Sequence, residues 1–338
     1  MFTADAKSYS IDLTRNQSDR WAEVIAQERE VARPLVAEAN EQYEHVPEPL
    51  RQIFARVYQA SGGLYQGEMR AWAQGLDVSV GTMTMLNCLY ELSHLRLPKI
   101  FGCTAGVRWL DGGGMVHVRT LDWPLECMGP ATRLFRFHNG AREFVSVGVP
   151  GQVGVLSAMV PGKYSITLNW APPQSMLPSW DFGTTFCLRD ALENCDTYNS
   201  AVETLRTTRL STSVFFTVCG TEKGQGCIIE RTRDDAAVRR FDGANALIQA
   251  NHHLADRFVK NNEDIRDQPP ELEVFSLHGS NRRMNILGEA LNHLPASATL
   301  DEAGEVLNIP TVLNDQTCQQ IVFCPRSGET RVWRRISA

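Results

Sequence analysis

Residues 103–124 read CTAGVRWLDGGGMVHVRTLDWP, two apolar runs on either side of the turn sequence Asp-Gly. Asp-Gly between apolar runs is a strong signal for a tight β-hairpin, so we predict strands over 103–110 and 115–121. The hairpin brings a thiol from Cys103, a guanidinium from Arg119 and a carboxylate from Asp122 to one of its ends. These three groups are the first candidates for a catalytic site.

The register of this hairpin decides which side chains share a face. With Leu110 paired to Met115, Cys103 lies opposite Asp122; a loop one residue longer puts Cys103 opposite the following tryptophan and puts Arg119 on its face. Because side chains alternate along a strand, no ideal register places both charged groups on the face of the thiol. A bulge or a strand end at the end of the second strand would be needed to bring all three together.

The chain changes character near residue 101. Before it, apolar residues recur at helical spacing, with Pro34 as a predicted break and Ser79 as a predicted N-cap; after it, short β-like runs alternate with turn residues. Helices are predicted over 21–40, 50–58, 64–74, 80–92, 185–206 and 283–294. Further strands are predicted over 132–137, 144–149, 213–219, 227–231, 236–241, 246–250, 319–324 and 330–336. The pattern indicates an α+β body with mostly antiparallel strands that follows a helical N-terminal part.

Composition excludes several classes of protein. The chain has 338 residues, 43% of them hydrophobic, and a formal net charge of −6, which argues against nucleic-acid binding through a basic surface. No apolar run approaches the roughly 18 residues of a membrane span, the start MFTAD does not read as a signal peptide, and the nine cysteines form no C-x-x-C pair. We therefore expect a cytoplasmic protein without an integral membrane segment, a disulfide framework or a zinc ribbon.

Taken alone, the candidate residues leave other interpretations open. A cysteine at the start of a strand is often a small buried hydrophobic residue, and Arg-x-x-Asp is often a solvated ion pair. His252-His253 offers no third metal ligand at a sensible spacing, and Gly112-Gly113-Gly114 lacks the GK[ST] of a phosphate loop. A papain-like Cys/His site also stays possible, since its histidine could lie anywhere in the chain. We predict neither a metal nor a cofactor.

A wider set of motifs resembles one family. Cys103-Thr104, a hairpin, and then the sequence RTLDWP over 119–124 resemble the linear-amide branch of the N-terminal nucleophile (Ntn) hydrolases, which includes choloylglycine hydrolases, penicillin V acylases, acid ceramidases and N-acylethanolamine acid amidases. The order and spacing of further segments agree with the last two groups, over about 45–338. These segments are Asn87 with 90–92, 151–169, 188–205, 226–231, Asn251-His252-His253, Ser280 with Arg283, and 310–317.

The resemblance implies a fold and a maturation step. The fold would be an αββα sandwich of two antiparallel sheets between helical layers. Residues 1–102 would form a helical pro-segment that stays associated, and residues 103–338 would form the catalytic unit. The chain would cleave itself between Gly102 and Cys103, where glycine tolerates a strained backbone.

The resemblance also implies roles for the candidate residues. Cleavage would free the α-amine of Cys103, which can accept the proton of its own thiol, so nucleophile and base lie on one residue. Arg119 would favour the thiolate, and Asp122 would hold the α-amine. Asn251 would donate to the oxyanion of the tetrahedral intermediate, and Arg283 would be structural or would orient the substrate.

The predicted substrate is a small N-acyl amide with a lipophilic acyl chain, contacted by Trp123, Asn169 and Trp170. Lysosomal relatives carry Asn-Glu-Arg where this chain has Asn169-Trp170-Ala171, so we expect activity near neutral pH. Alternatives are an acyltransferase that passes the acyl group from Cys103 to an amine, and a scaffold that keeps the fold but does not process itself. The sequence leaves the oligomeric state open.

Overall fold

The computed structural model describes residues 1–60, 62–92, 101–174 and 181–336. Two β-sheets are stacked face to face and are covered on both outer sides by helices, so the predicted αββα sandwich is confirmed. The strands are β1 (Phe2–Thr3), β2 (Ser8–Asp12), β3 (Gly102–Leu110), β4 (Gly114–Asp122), β5 (Arg133–His138), β6 (Glu143–Gly148), β7 (Ser157–Val160), β8 (Tyr164–Trp170), β9 (Val214–Gly220), β10 (Gly226–Arg231), β11 (Ala236–Arg240), β12 (Leu247–Gln249), β13 (Thr317–Cys324) and β14 (Glu329–Arg335).

The first sheet has the order β1-β14-β13-β4-β3-β12 and the second has the order β11-β10-β9-β8-β7-β6-β5-β2. Neighbouring strands are antiparallel except β2 and β5, which are parallel. The helices are α1 (Ala22–Glu41), α2 (Glu48–Ala60), α3 (Gln66–Leu76), α4 (Val80–Asn87), α5 (Leu89–Leu92), α6 (Thr184–Asn194), α7 (Tyr198–Thr207), α8 (Leu277–His293) and α9 (Leu300–Glu305).

Apolar side chains fill the layers between these elements. Helices α8 and α9 pack on the first sheet, and α6 and α7 pack on the second. Between the sheets, Met159 of β7 meets Ile321 and Phe323 of β13. Strands β3 and β4 lie in the middle of the first sheet and face β8 and β9. One face of the candidate catalytic end of the hairpin is therefore buried between the two sheets, and the other is covered by α8.

We predicted a wholly helical N-terminal segment, but this segment also contains two strands. Strand β1 pairs with β14 and β2 pairs with β5, so this segment adds an edge strand to each sheet. The predicted break at Pro34 is wrong, because α1 continues through it; the helix buries Ala32, Leu35 and Val36 on one face, and that packing outweighs the hydrogen bond that proline removes. The predicted helix over 185–206 is two helices. Ser79 is the N-cap of α4, since its side chain accepts from the backbone N–H of Thr82.

Buried polar contacts join the N-terminal helices to the rest of the chain. Glu68 of α3 pairs with Arg189 of α6 at 2.6 Å, and both side chains are fully buried. The Asn87 side chain accepts from the N–H of Val153 at 2.7 Å and donates to the carbonyl of Gly151 at 3.0 Å. Removing one partner of a buried pair is costly, so these contacts hold the segment in place. Among the described residues, no helix is long and apolar enough to cross a membrane.

Candidate active site

The β3–β4 hairpin closes earlier than either register that we considered. Leu110 pairs with Gly114, and Cys103 therefore lies opposite Leu121 while Gly102 lies opposite Asp122. Both predicted registers are wrong for a local reason. Gly114 has a φ of 89°, a conformation that glycine adopts without steric cost, and the turn is one residue shorter as a result.

The alternation argument is confirmed in this shorter register. Arg119 lies opposite Ala105, on the face of Cys103, while Asp122 is on the other face. The pairing of β3 with β4 is continuous, without a bulge; an irregularity occurs instead in β13, between Thr317 and Gln319. The thiol and the guanidinium thus point between the sheets, and the carboxylate points towards α8.

Cys103 and Arg119 form the centre of the site. The Nη2 of Arg119 donates to Cys103 Sγ at 3.1 Å and to the carbonyl of Leu168 at 2.7 Å. Its Nη1 donates to the carbonyl of Leu156 at 2.6 Å and contacts the hydroxyl of Ser157. Cys103 and Arg119 are both fully buried. Burial raises the pKa of the Cys103 thiol, and the positive charge of Arg119 opposes part of that shift.

Asn251, just after β12, holds the backbone of Cys103. Its Oδ1 accepts from the backbone N–H of Cys103 at 2.9 Å and from Arg283 Nη2 at 2.6 Å. Its Nδ2 donates to the carbonyl of Trp170 at 2.9 Å. An amide NH2 group carries two hydrogens, so one N–H is left for an oxyanion, and the role predicted for Asn251 stays a prediction.

Asp122 and Arg283 lie on the α8 side of the hairpin. Asp122 Oδ1 accepts from the Thr317 hydroxyl at 2.7 Å, and Oδ2 is 3.7 Å from Arg283 Nε. That Nε donates to the Thr104 hydroxyl at 3.1 Å. Burial raises the pKa of Asp122 more than Arg283 lowers it. The backbone N–H of Cys103 bonds to Asn251 rather than to Asp122. The predicted contact between Asp122 and a free α-amine of Cys103 therefore stays a prediction.

Gly102 is required for space rather than for strain. Its φ is not positive, which removes the reason we gave for a glycine here. A Cβ at this position would lie 2.9 Å from the Cβ of Asp122 and 3.0 Å from the ring of Phe275. Any larger residue would therefore displace the Asp122 carboxylate or the Phe275 ring beside the Gly102-Cys103 peptide bond.

Ser280 and His252 form a supporting layer that sequence reasoning did not assign. The Ser280 hydroxyl accepts from the backbone N–H of Asn251 at 2.8 Å and is 2.7 Å from His252 Nδ1. Burial, with Arg283 nearby, lowers the pKa of His252 to about 4, so the ring is neutral near pH 7 and shares one hydrogen bond with the Ser280 hydroxyl. The available signal was the spacing of Ser280 and Arg283, which places both on one face of α8.

An aromatic cluster adjoins Cys103. The ring of Phe101 is 4.8 Å from Trp123, 5.2 Å from Tyr90 and 6.5 Å from Trp170, measured between ring centroids. Burial and the adjacent Cys103 raise the pKa of the Tyr90 hydroxyl. The structure therefore brings together two of the three residues that we predicted to contact substrate, and it adds Tyr90 from the N-terminal segment.

The third predicted substrate residue, Asn169, has a supporting position. Its Nδ2 donates to the carbonyls of Gln249 and Ala250, both at 3.1 Å. These residues immediately precede Asn251, so Asn169 ties β8 of one sheet to the end of β12 in the other. A contact between Asn169 and substrate stays a prediction.

Comparison with known proteins supports the fold and the resemblance. No family model matches the chain. It is 29% identical over 250 residues to an N-acylethanolamine-hydrolyzing acid amidase of Caenorhabditis elegans, a match covering 68% of this chain and 69% of the relative. It is 28% identical over 219 residues to a probable acid ceramidase of the same nematode, a match covering 56% of this chain and 53% of that relative.

The solved structure of the C. elegans N-acylethanolamine-hydrolyzing acid amidase ortholog has the same fold. The match has a TM-score of 0.55 at 23% identity and covers 69% of this chain and all, 100%, of that one. The resemblance seen in the motifs is thereby confirmed: homologues of this chain are N-acylethanolamine-hydrolysing acid amidases and acid ceramidases, and its fold is that of the Ntn hydrolases.

Proposed function

We propose that this chain, a homologue of those amidases and ceramidases with an Ntn-hydrolase fold, is a cysteine amidase that hydrolyses an N-acyl amide after cleaving itself at Gly102-Cys103. The observation that carries the proposal is the pair of contacts made by Cys103. Its Sγ lies 3.1 Å from the Arg119 guanidinium, and its backbone nitrogen is held by Asn251. Cleavage would turn that nitrogen into a positioned α-amine.

The proposed maturation uses the same atoms as the later reaction. The thiol of Cys103 attacks the carbonyl carbon of Gly102, an Sγ–C bond forms, the C–N bond breaks, and the thiol proton passes to the nitrogen that leaves. Water then adds to the thioester, which releases the carboxylate of Gly102 and restores the thiol. The carboxylate of Asp122 lies beside Gly102 and would serve as the acid–base group for these proton transfers.

In turnover, the α-amine of Cys103 would accept the thiol proton as the thiolate attacks the substrate carbonyl. Arg119 would stabilise the thiolate, and the remaining N–H of Asn251 would donate to the oxyanion. The amine and the thiol titrate as a coupled pair. Since Trp170 supplies no carboxylate, we expect kcat/KM to be highest at roughly pH 6.5–8.

The relatives and an apolar cavity support a lipophilic acyl group. The relatives are named for N-acylethanolamines and ceramides, both of which are N-acyl amides. A cavity of about 70 Å³ lies where α1, α4 and α5 meet the catalytic unit, and Leu35, Met83, Leu89 and Trp123 are among its lining residues. We propose that the acyl chain extends into this apolar region. A cytoplasmic location stays a prediction.

The proposed division into segment 1–102 and unit 103–338 predicts a stable two-chain product. Edge strands β1 and β2 lie in one sheet each, and Glu28 of α1 forms a buried pair with Arg133 of β5 at 2.7 Å. Cleavage at Gly102 breaks none of these contacts. We therefore expect both fragments to elute together in size-exclusion chromatography after cleavage.

Intact-mass measurement after purification tests the proposal. We expect two species that correspond to residues 1–102 and 103–338, while Cys103→Ala should stay whole. Cys127→Ala, which removes a thiol that is only partly buried and lies outside the site, is the matched control and should cleave normally. Wild-type protein that hydrolyses N-acyl amides while remaining at full mass would contradict the Ntn mechanism.

The two alternatives differ in their products. An acyltransferase would transfer the acyl group to an added primary amine in preference to water, so analysis of the products with and without that amine distinguishes transfer from hydrolysis. A scaffold would neither cleave itself nor consume any amide.

A further inference from the structure

The ring of Phe101 occupies a cage of aromatic side chains beside the nucleophile. Tyr90 lies parallel to it, with an interplanar angle of 23°, and Trp123 meets it edge-on at 75°. Trp170 lies on a further side, with its centroid at 6.5 Å. All four side chains are at least nine-tenths buried. The cage is thus a preformed site for a flat apolar ring.

Its occupant is part of the first acyl group that Cys103 would carry. Attack of the thiol on Gly102 gives a thioester whose acyl chain runs from Gly102 back into Phe101. An amide substrate gives a thioester at the same sulfur atom, so its acyl chain leaves the sulfur from the same point. Residues 101–102 should therefore follow the same path through the protein as the acyl chain of a substrate.

The covalent structure of residues 101–102 sets a length along that path. With the Gly102 carbonyl carbon counted as atom one, the chain continues through the Gly102 Cα and nitrogen, the Phe101 carbonyl carbon and Cα, and reaches the Phe101 Cβ as atom six. The ring is attached there. A fatty acyl group with a phenyl ring on its sixth carbon has the same spacing.

We propose that Tyr90, Trp123 and Trp170 form an acyl-group subsite that takes an aromatic ring about six atoms from the scissile carbonyl, as in a 6-phenylhexanoyl amide. This inference rests on the proposed function, because it requires a thioester at Cys103. Once the Gly102 carboxylate is released, Phe101 is no longer joined to Cys103, and the substrate ring takes its place. Tyr90 comes from the N-terminal segment, so the subsite needs both fragments.

The test uses the cleaved two-chain protein and amides of one fluorogenic amine, 7-amino-4-methylcoumarin. The acyl groups are hexanoyl, 3-phenylpropanoyl and 6-phenylhexanoyl. We expect kcat/KM for the 6-phenylhexanoyl amide to exceed that for each of the other two by at least tenfold. Trp170→Leu should lower this ratio at least fivefold, and Trp170→Phe, which keeps a ring, should lower it less. Trp109→Leu, on the same hairpin but at its turn end, should leave the ratio unchanged.

A second measurement follows the precursor. Phe101→Ala empties the cage during self-cleavage and should slow cleavage severalfold, whereas Phe101→Tyr should cleave at close to the wild-type rate. Equal cleavage rates for Phe101→Ala and wild type would show that the cage does not position the acyl group.

The outcomes separate the two proposals. Equal kcat/KM for the three amides, or a fall in Trp170→Leu that is the same for all of them, overturns the subsite and leaves the amidase intact. A cleaved protein that hydrolyses none of the amides overturns both.

Discussion

The two faces of the β3–β4 hairpin hold their charged groups in different ways. On the face between the sheets, Arg119 bonds to main-chain carbonyls and to the thiol, and no carboxylate among the described residues pairs with it. On the face towards α8, Asp122 lies near Arg283, which also bonds to Thr104 and Asn251. On the face between the sheets, here called the inner face, the positive charge of Arg119 is available to a thiolate. On the face towards α8, the outer face, the charged groups pair with each other and hold neighbouring residues in place.

We expect the largest change in rate from a substitution on the inner face. Arg119→Gln removes the charge beside Cys103 Sγ but keeps a polar side chain, and we expect self-cleavage to slow by about 10³-fold, as for the loss of a buried electrostatic contact at a reaction centre. Cleavage is followed by intact mass over time. Arg136→Gln, an exposed arginine of β5, is the control. A loss below tenfold would mean that the Arg119 charge does not act on the thiol.

Asn251 tests the outer face, because its side-chain oxygen links the backbone N–H of Cys103 to Arg283. Asn251→Ala removes the acceptor for the Cys103 N–H and the proposed oxyanion donor, and we expect kcat to fall by about 10²-fold. The measurement is kcat on protein that has already cleaved. Asn245→Ala, an exposed asparagine before β12, should retain wild-type kcat.

The inner face should tolerate only one charge, and His117 tests this. It is two residues before Arg119 on the same face of β4 and contacts Ser165 and Thr167 of β8, both at 2.9 Å. Burial, with Arg119 second, lowers the pKa of His117 to about 3. The unfolded chain protonates this histidine near pH 6.5. The stability that the neutral His117 contributes is therefore complete above that pH and is lost as the pH falls towards 3.

We expect this histidine to cost about 2 kcal/mol of unfolding free energy between pH 7 and pH 5. His117→Gln cannot titrate and should lose about that much less over the same interval in urea unfolding. His45→Gln, at an exposed position, should follow the wild type. A His117→Gln protein whose pH dependence equals that of the wild type would show that folding does not lower the pKa of His117.

Turns and helix caps could be predicted from the sequence, whereas the pairing of strands distant in the chain could not. Asp-Gly marked the hairpin, and Ser79 marked the start of α4, because turns and caps depend on a few adjacent residues. Strands β1 and β2 were missed because their partners lie more than 120 residues away and because short edge strands carry little pattern of their own. The inner position of Arg119 depended on a single φ angle at Gly114, which one sequence does not reveal.

We expect the smallest change in rate from a substitution in the supporting layer of Ser280 and His252, which lies behind the outer face. Ser280→Ala removes the acceptor for the Asn251 N–H and the hydrogen bond to His252, and a lost hydrogen bond of this kind costs about 1 kcal/mol. We expect kcat to fall about fivefold with KM unchanged, because Asn251 would lose orientation while the acyl site stays intact. Ser280→Thr keeps the hydroxyl and should restore most of the rate, and Asn281→Ala, on the adjacent residue of α8, should have no effect. An equal loss in Ser280→Thr and Ser280→Ala would show that Ser280 acts through packing, and the outer face would then depend on Arg283 alone to orient Asn251.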